Sequence, residues 1–235
     1  MSDLEDRITS IWERRAAAAR RAGREVDSIR LVAVSKTVDE TVVADAHRLG
    51  LTHFGENRVQ DATRKFAALD GLPFRLHLIG QLQTNKARAA AKIAHEIESA
   101  DRTGLIDALE AEARKLADRG ELAAGVRLPV LLQVNVAREE QKSGCAPEEA
   151  PALVKALLAA PTLDLRGLMT IAPLVPTAEE ARPTFVALRQ LRDELQIRFP
   201  EATLGTLSMG MTNDFEVAIE EGSTSIRVGR AIFAP

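Results

Sequence analysis

Short apolar runs alternate with longer amphipathic stretches from residue 29 to the end of this chain. Residues 29–34 read Ile-Arg-Leu-Val-Ala-Val, rich in β-branched side chains and too short for a helix, so the run is expected to be a buried strand. Further strands are expected at 51–54, 75–79, 95–98, 129–135, 165–169, 204–208 and 225–228. The stretches between them, at 39–49, 58–69, 84–91, 102–119, 147–159, 178–198 and 213–220, predict helices. A helix over 3–21 precedes the series, with Leu4, Ile8, Ile11 and Trp12 on one stripe and Gly23 as its stop. Strands alternating with helices pair in parallel through right-handed crossovers. Eight such units in 235 residues predict one (β/α)₈ TIM barrel spanning residues 1–235 as a single domain. Little chain follows the last strand, so the first helix is expected to close the outer ring in place of a final one.

Polar and glycine-rich segments follow the C-terminal ends of these strands. They include Ser35-Lys36-Thr37, Gly55-Glu-Asn57-Arg58, Gly80 through Lys86, Lys142-Ser-Gly144, Ser208 through Thr212, and Arg227-Val-Gly229-Arg230. In a barrel these ends converge on the face where active sites form. The last two loops pair glycines with Ser208, Arg227 and Arg230, which suits a phosphate. Lys36 follows a uniformly apolar strand, so its amine is expected at the barrel mouth, desolvated and nucleophilic. A lysine nucleophile facing a phosphate cradle suggests an imine-forming site for a phosphorylated carbonyl compound. Pyridoxal phosphate fits, and so does a sugar phosphate in a Schiff-base aldolase. Asn57 reads either as a turn or cap residue or as an amide near the ligand. Arg227, between Ile226 and Val228, is expected to point inward. Met169, Met209 and Met211 read as packing.

Composition narrows the class. A net charge of −3 argues against a general nucleic-acid or anionic-membrane surface, and the basic run Arg14, Arg15, Arg20, Arg21 reads as a solvated helix face. No apolar run approaches the roughly 20 residues of a membrane span, and the acidic, polar start is unlike a signal peptide, so the cytoplasm is expected. Cys145 is the one cysteine, read as a loop residue rather than a nucleophile, and the four histidines lack a metal-ligand spacing. There is no tyrosine.

Taken together, Val32-Ala-Val-Ser-Lys36, Phe54-Gly-Glu-Asn57, Ile79-Gly80, Leu82-Gln-Thr-Asn-Lys86, Lys142-Ser-Gly144, Gly167-Leu-Met169, Leu207-Ser-Met-Gly-Met211, Gly222-Ser-Thr and Ile226-Arg-Val-Gly229 resemble the pyridoxal phosphate homeostasis protein family. The blocks run in order from near residue 30 to the C-terminus. The resemblance implies a barrel like the N-terminal part of alanine racemase, pyridoxal 5′-phosphate (PLP) as cofactor, and Lys36 as its Schiff-base lysine. It also implies Ser208, Met209, Gly229 and Arg230 around the phosphate, several through backbone amides, with Asn57 near the ring and Arg227 facing the pyridine nitrogen. Arg230 stands where threonine is frequent in the family, which leaves its backbone amide as the contact. Gln81 and Val38 depart from the frequent histidine and basic residue.

Family members resemble cofactor buffers or carriers rather than established enzymes, with apo PLP-dependent enzymes as recipients and a monomeric state. An arginine offers only donors to a pyridine nitrogen and favours the unprotonated ring, a poor electron sink. A two-base racemase would also need a tyrosine from a second domain. A PLP-dependent racemase or lyase of narrow specificity is the alternative, and a Schiff-base aldolase the third reading.

Overall fold

The computed structural model describes residues 3–67, 69, 71–122 and 125–234. Eight parallel strands close on themselves: β1 (Arg30–Val34), β2 (His53–Glu56), β3 (Arg75–Leu78), β4 (Glu96–Ala100), β5 (Leu128–Gln133), β6 (Leu163–Met169), β7 (Thr206–Ser208) and β8 (Ser225–Val228). Neighbours in sequence are neighbours in the sheet, and β8 pairs with β1 to complete the ring. The helices are α1 (Asp3–Arg21), α2 (Glu40–Arg48), α3 (Val59–Ala67), α4 (Ala87–Ile93), α5 (Thr103–Asp118), α6 (Ala150–Leu158), α7 (Arg182–Arg198), α8 (Phe215–Glu220) and α9 (Arg230–Phe233). This is the expected (β/α)₈ barrel with a helix ahead of it.

Three departures have physical reasons. The strand expected at 51–54 lies two residues further on, which carries Gly55 and Glu56 from a predicted loop into β2, because a buried cation partners the Glu56 carboxylate. The helices expected from 84 and 178 each open with a 3₁₀ turn, Thr84–Lys86 and Ala178–Ala181. The single turn α9 was not expected, since four residues are too few to show a helical period.

The first helix does close the ring. Ile8, Ile11, Ala18 and Ala19 on α1 are buried. Arg7 Nε donates to the Ile232 carbonyl of α9 at 2.7 Å, and Arg24 Nη1 donates to the carbonyls of Ile219 and Ser223. The basic run is not the solvated face expected of it. Arg14 pairs with Glu216 at 2.7 Å and lies 4.6 Å from the centre of the Phe215 ring, while Arg21 pairs with Glu220. Arg15 donates to the Ile29 carbonyl, and Arg20 alone of the four has the exposure expected with no pairing. These arginines hold α1 against α8, where an aliphatic stem packs and the charged head finds a carboxylate.

Closure also depends on one glycine. Gly167 in β6 has φ +154°, and a Cβ there would sit 1.9 Å from the Thr206 carbonyl oxygen of β7. Gly167→Ala is expected to separate these strands and cost about 2 kcal/mol or more. Urea denaturation midpoints of the two proteins test this, and an unchanged midpoint would refute it.

Candidate functional site

Four consecutive staves of the barrel, β7, β8, β1 and β2, hold the residues that the sequence singled out. The β1–β2 register pairs Val34 with Gly55, so two residues further on Lys36 emerges next to Asn57. The β1–β8 register pairs Ala33 with Val228, and Gly229 lies against Val34, where a Cβ would come 3.2 Å from Val34 Cβ. Arg227 N donates to the Gly210 carbonyl at 3.0 Å, which ties the loop after β7 to β8. Lys36 therefore has Asn57 on one side and Gly229-Arg230 on the other.

Lys36, Asn57 and Arg230 are exposed, and their side chains have no hydrogen-bond or ion-pair partner among the described residues. The expectation of a desolvated Lys36 amine fails, because the apolar strand ends at Val34 and the lysine lies on the rim beyond it. Gly80 helps to hold Asn57: a Cβ there would sit 2.3 Å from the Asn57 carbonyl oxygen, so the loops after β2 and β3 touch through a residue without a side chain. Gly229 starts α9, whose first amides have no partner within that turn.

Ser208, Met209 and Arg227 are buried. Arg227 points inward, as its setting in the strand predicted. Its Nη1 donates to Ser208 Oγ at 2.5 Å and its Nη2 to the Thr170 carbonyl at 2.7 Å. Ser208 Oγ in turn donates to Glu98 Oε2 at 2.5 Å. The Ser208 hydroxyl is therefore turned into the barrel rather than toward a phosphate in the loop. The Met209 amide donates to the Ser225 carbonyl at 3.1 Å, and its side chain packs in the core. Gly210, at φ +94°, leaves no room for a Cβ, which would meet Ala218 Cβ at 2.6 Å. Cys145 is buried and burial pushes its thiol up to about 12, which keeps it neutral.

Below Arg227 a polar column follows the barrel interior. His77 Nδ1 lies 2.9 Å from Glu98 Oε1, and His77 Nε2 lies 2.9 Å from His53 Nδ1. Burial alone would raise the Glu98 carboxyl, but bonds from His77 and Ser208 and the charges of His77 and Arg227 hold it below the usual range. Burial likewise opposes charge on His77, yet Glu96 and Glu98 outweigh it and raise that imidazole. A doubly protonated His77 donates to Glu98 and to a neutral His53. Burial, then the charges of His77, Arg30 and Arg75, depress His53 to about 4.

A second buried group fixes the strand end that leads to Lys36. Lys65 of α3 donates to Glu56 Oε1 and to the Ser35 carbonyl, both at 2.6 Å, and Ser35 Oγ donates to the same Glu56 oxygen at 2.7 Å. Ser35 N donates to the Gly55 carbonyl. Backbone and side chain of the residue before Lys36 are thus both held. Sequence reasoning missed Lys65, Glu56, His77, Glu98 and Thr170. A usable signal existed in His77, between Leu76 and Leu78, and in Glu98 beside Ile97, titratable groups set among apolar strand residues where an unpaired charge would be costly.

The comparisons with known proteins agree with this fold. Residues 12–235 match the family described as alanine racemase, N-terminal domain. A protein of Pseudomonas aeruginosa named pyridoxal phosphate homeostasis protein is 43% identical over 236 residues, covering 99% of this chain and 96% of that one. Its namesake in Aquifex aeolicus is 41% identical over 228 residues, covering 97% and 96%. The structure of PipY from Synechococcus elongatus PCC7942, solved with PLP bound, superposes with a TM-score of 0.83 at 35% identity, covering 99% of this chain and 100% of that one. The chain belongs to the pyridoxal phosphate homeostasis protein family.

Two outcomes follow from the buried groups. Lys65→Met strands the Glu56 carboxylate in the interior and is expected to cost about 3–5 kcal/mol, read from denaturant unfolding. Lys65→Met combined with Glu56→Gln should recover part of that loss. The depressed His53 gives an acid-side dependence. Between about pH 6.5 and 4 the unfolded chain protonates this residue while the folded one does not, so stability falls as pH falls through that window. Midpoints at about pH 6.5 and 4.5 should differ less in His53→Gln, which keeps an acceptor for His77. An equal difference in both proteins would refute the assignment.

Proposed function

We propose that this chain binds pyridoxal 5′-phosphate at the C-terminal mouth of the barrel, on Lys36, and acts in PLP homeostasis as a buffer or carrier. The observation that supports it best is the unpaired, exposed Lys36 amine held between Asn57 and the Gly229-Arg230 turn. The names of the curated relatives and the PLP-bound structure of PipY support the same reading.

The residues present fit such a group. Lys36 offers an amine to an aldehyde, and Gly210 and Gly229, packed closely against α8 and Val34, would leave backbone amides rather than side chains to meet a phosphate. Arg230 would contribute its amide and its charge. Ser208 and Met209 would shape the floor, with the Ser208 hydroxyl kept for Arg227 and Glu98. When bound, PLP supplies an aldehyde and an aromatic ring able to accept electrons. Arg227 presents only donors toward that ring and is locked by Ser208 and Thr170, so it does not hold a proton on the pyridine nitrogen. That favours storage of the group over turnover.

The same reading makes residues 1–235 a single domain, a cytoplasmic monomer with apo PLP-dependent enzymes as recipients. Among the described residues no helix is long and apolar enough to cross a membrane.

The test is a visible absorbance spectrum of the protein after incubation with PLP, beside Lys36→Ala, before and after borohydride. A band bleached by borohydride in the parent and missing in the variant is expected. A parent that stays colourless overturns the reading and moves the aldolase alternative forward.

A further inference from the structure

At the opposite, N-terminal end of the barrel, where β1, β2, β3 and β4 begin, a cleft of about 390 Å³ is bordered by Arg30, His53, Arg75, His95, Glu96 and Arg166. Its cations are poorly matched. The Arg75 side chain is exposed and has no partner among the described residues. Arg166 shares Asp164 with Arg127, at 2.5 and 2.8 Å. Arg30 shares Glu96 with His77, at 3.2 and 3.4 Å. In a chain with a net charge of −3, this is a local surplus of positive charge around a concave space. Guanidinium groups present planar pairs of donors that match phosphate and carboxylate oxygens. The volume falls within the range of roughly 300–1,000 Å³ usual for small-molecule sites.

We infer that this cleft is a second binding site, for a small anion bearing a phosphate or several carboxylates, at the far end of the barrel from Lys36. The surplus cations repel one another, and an anion among them relieves that repulsion. Arg75 and Arg166 supply free donors at the rim, and His95, whose Nδ1 accepts from the Leu76 amide, keeps Nε2 for a ligand. His53 forms the inner wall, kept neutral first by burial and then by the charges of His77, Arg30 and Arg75, and those charges would attract the ligand.

A cation is the competing occupant, because His77, Glu96 and Glu98 offer ligand atoms within 4.8 Å of one another. The charges decide against it. His77 already neutralises part of both carboxylates, Arg30 lies on Glu96 and Arg227 lies 3.9 Å from Glu98. A divalent ion would have to displace a proton and enter beside Arg30 and Arg227.

The site is independent of any ligand at the mouth, so it is tested on protein saturated with PLP and on protein without it. Calorimetric titration with inorganic pyrophosphate, and separately with citrate, is followed alongside the imidazole NMR signals of His53 and His95. Saturable binding of either anion in both preparations is expected, with those signals moving and the affinity falling about tenfold in Arg75→Gln. Arg75 is exposed and has no partner among the described residues, so this variant should keep the fold. Pyrophosphate alone would assign the site to phosphates and citrate alone to carboxylates, each within the inference. Absence of saturation by both, or unchanged affinity in Arg75→Gln, overturns it. Zinc moving the His77 signal where neither anion moves His53 overturns it in favour of a cation site. Loss of PLP binding at the mouth would leave the anion result unaffected, so the two readings fail separately.

Discussion

A carboxylate without contact to water lies inside this barrel, and the arrangement of the interior follows from having to neutralise it. Glu98 is satisfied by His77 on one oxygen and by Ser208 and Arg227 on the side of the other. Each of these groups would be unfavourable in the core alone, since an isolated buried charge costs several kcal/mol. Together they leave a charged histidine, a neutral histidine and an immobilised arginine on successive levels between the two ends of the barrel. An inward arginine under the mouth is possible because a carboxylate lies beneath it.

The periodic pattern made the barrel legible, since eight apolar runs separated by amphipathic stretches allow few other closures. Strand ends were less so. His53–Glu56 was misplaced by two residues because local apolarity cannot reveal that Lys65, nine positions on, would neutralise Glu56. Lys36, Asn57, Gly229 and Arg230 could be read as one cluster, because strand ends converge on one face of such a fold. Which of the singled-out groups face inward could not: Ser208 looked like a phosphate ligand, but its hydroxyl is used by Glu98 and Arg227, residues about 110 and 19 positions away. Such long-range pairings leave no periodic trace.

The two ends of the barrel differ in how their charges are settled. At the mouth, Lys36 and Arg230 are exposed and have no partner among the described residues. At the base, arginines crowd a cleft and share too few carboxylates. Between them Arg227, Ser208, Glu98 and His77 are linked in one buried chain of hydrogen bonds. The barrel thus separates chemistry that needs a fixed frame from chemistry that needs accessible charge.

The β8–β1 seam has a temporal consequence. A chain made from its amino end produces Lys36 early, whereas Gly229 and Arg230, the lysine's neighbours across the seam, arrive almost two hundred residues later. Contacts so distant in sequence form slowly, since a long loop must close first. During that interval the nascent polypeptide bears the lysine without the strand that encloses it. Completion of the ring, rather than the appearance of the lysine, is the event that sets Lys36 between Asn57 and the Gly229-Arg230 turn.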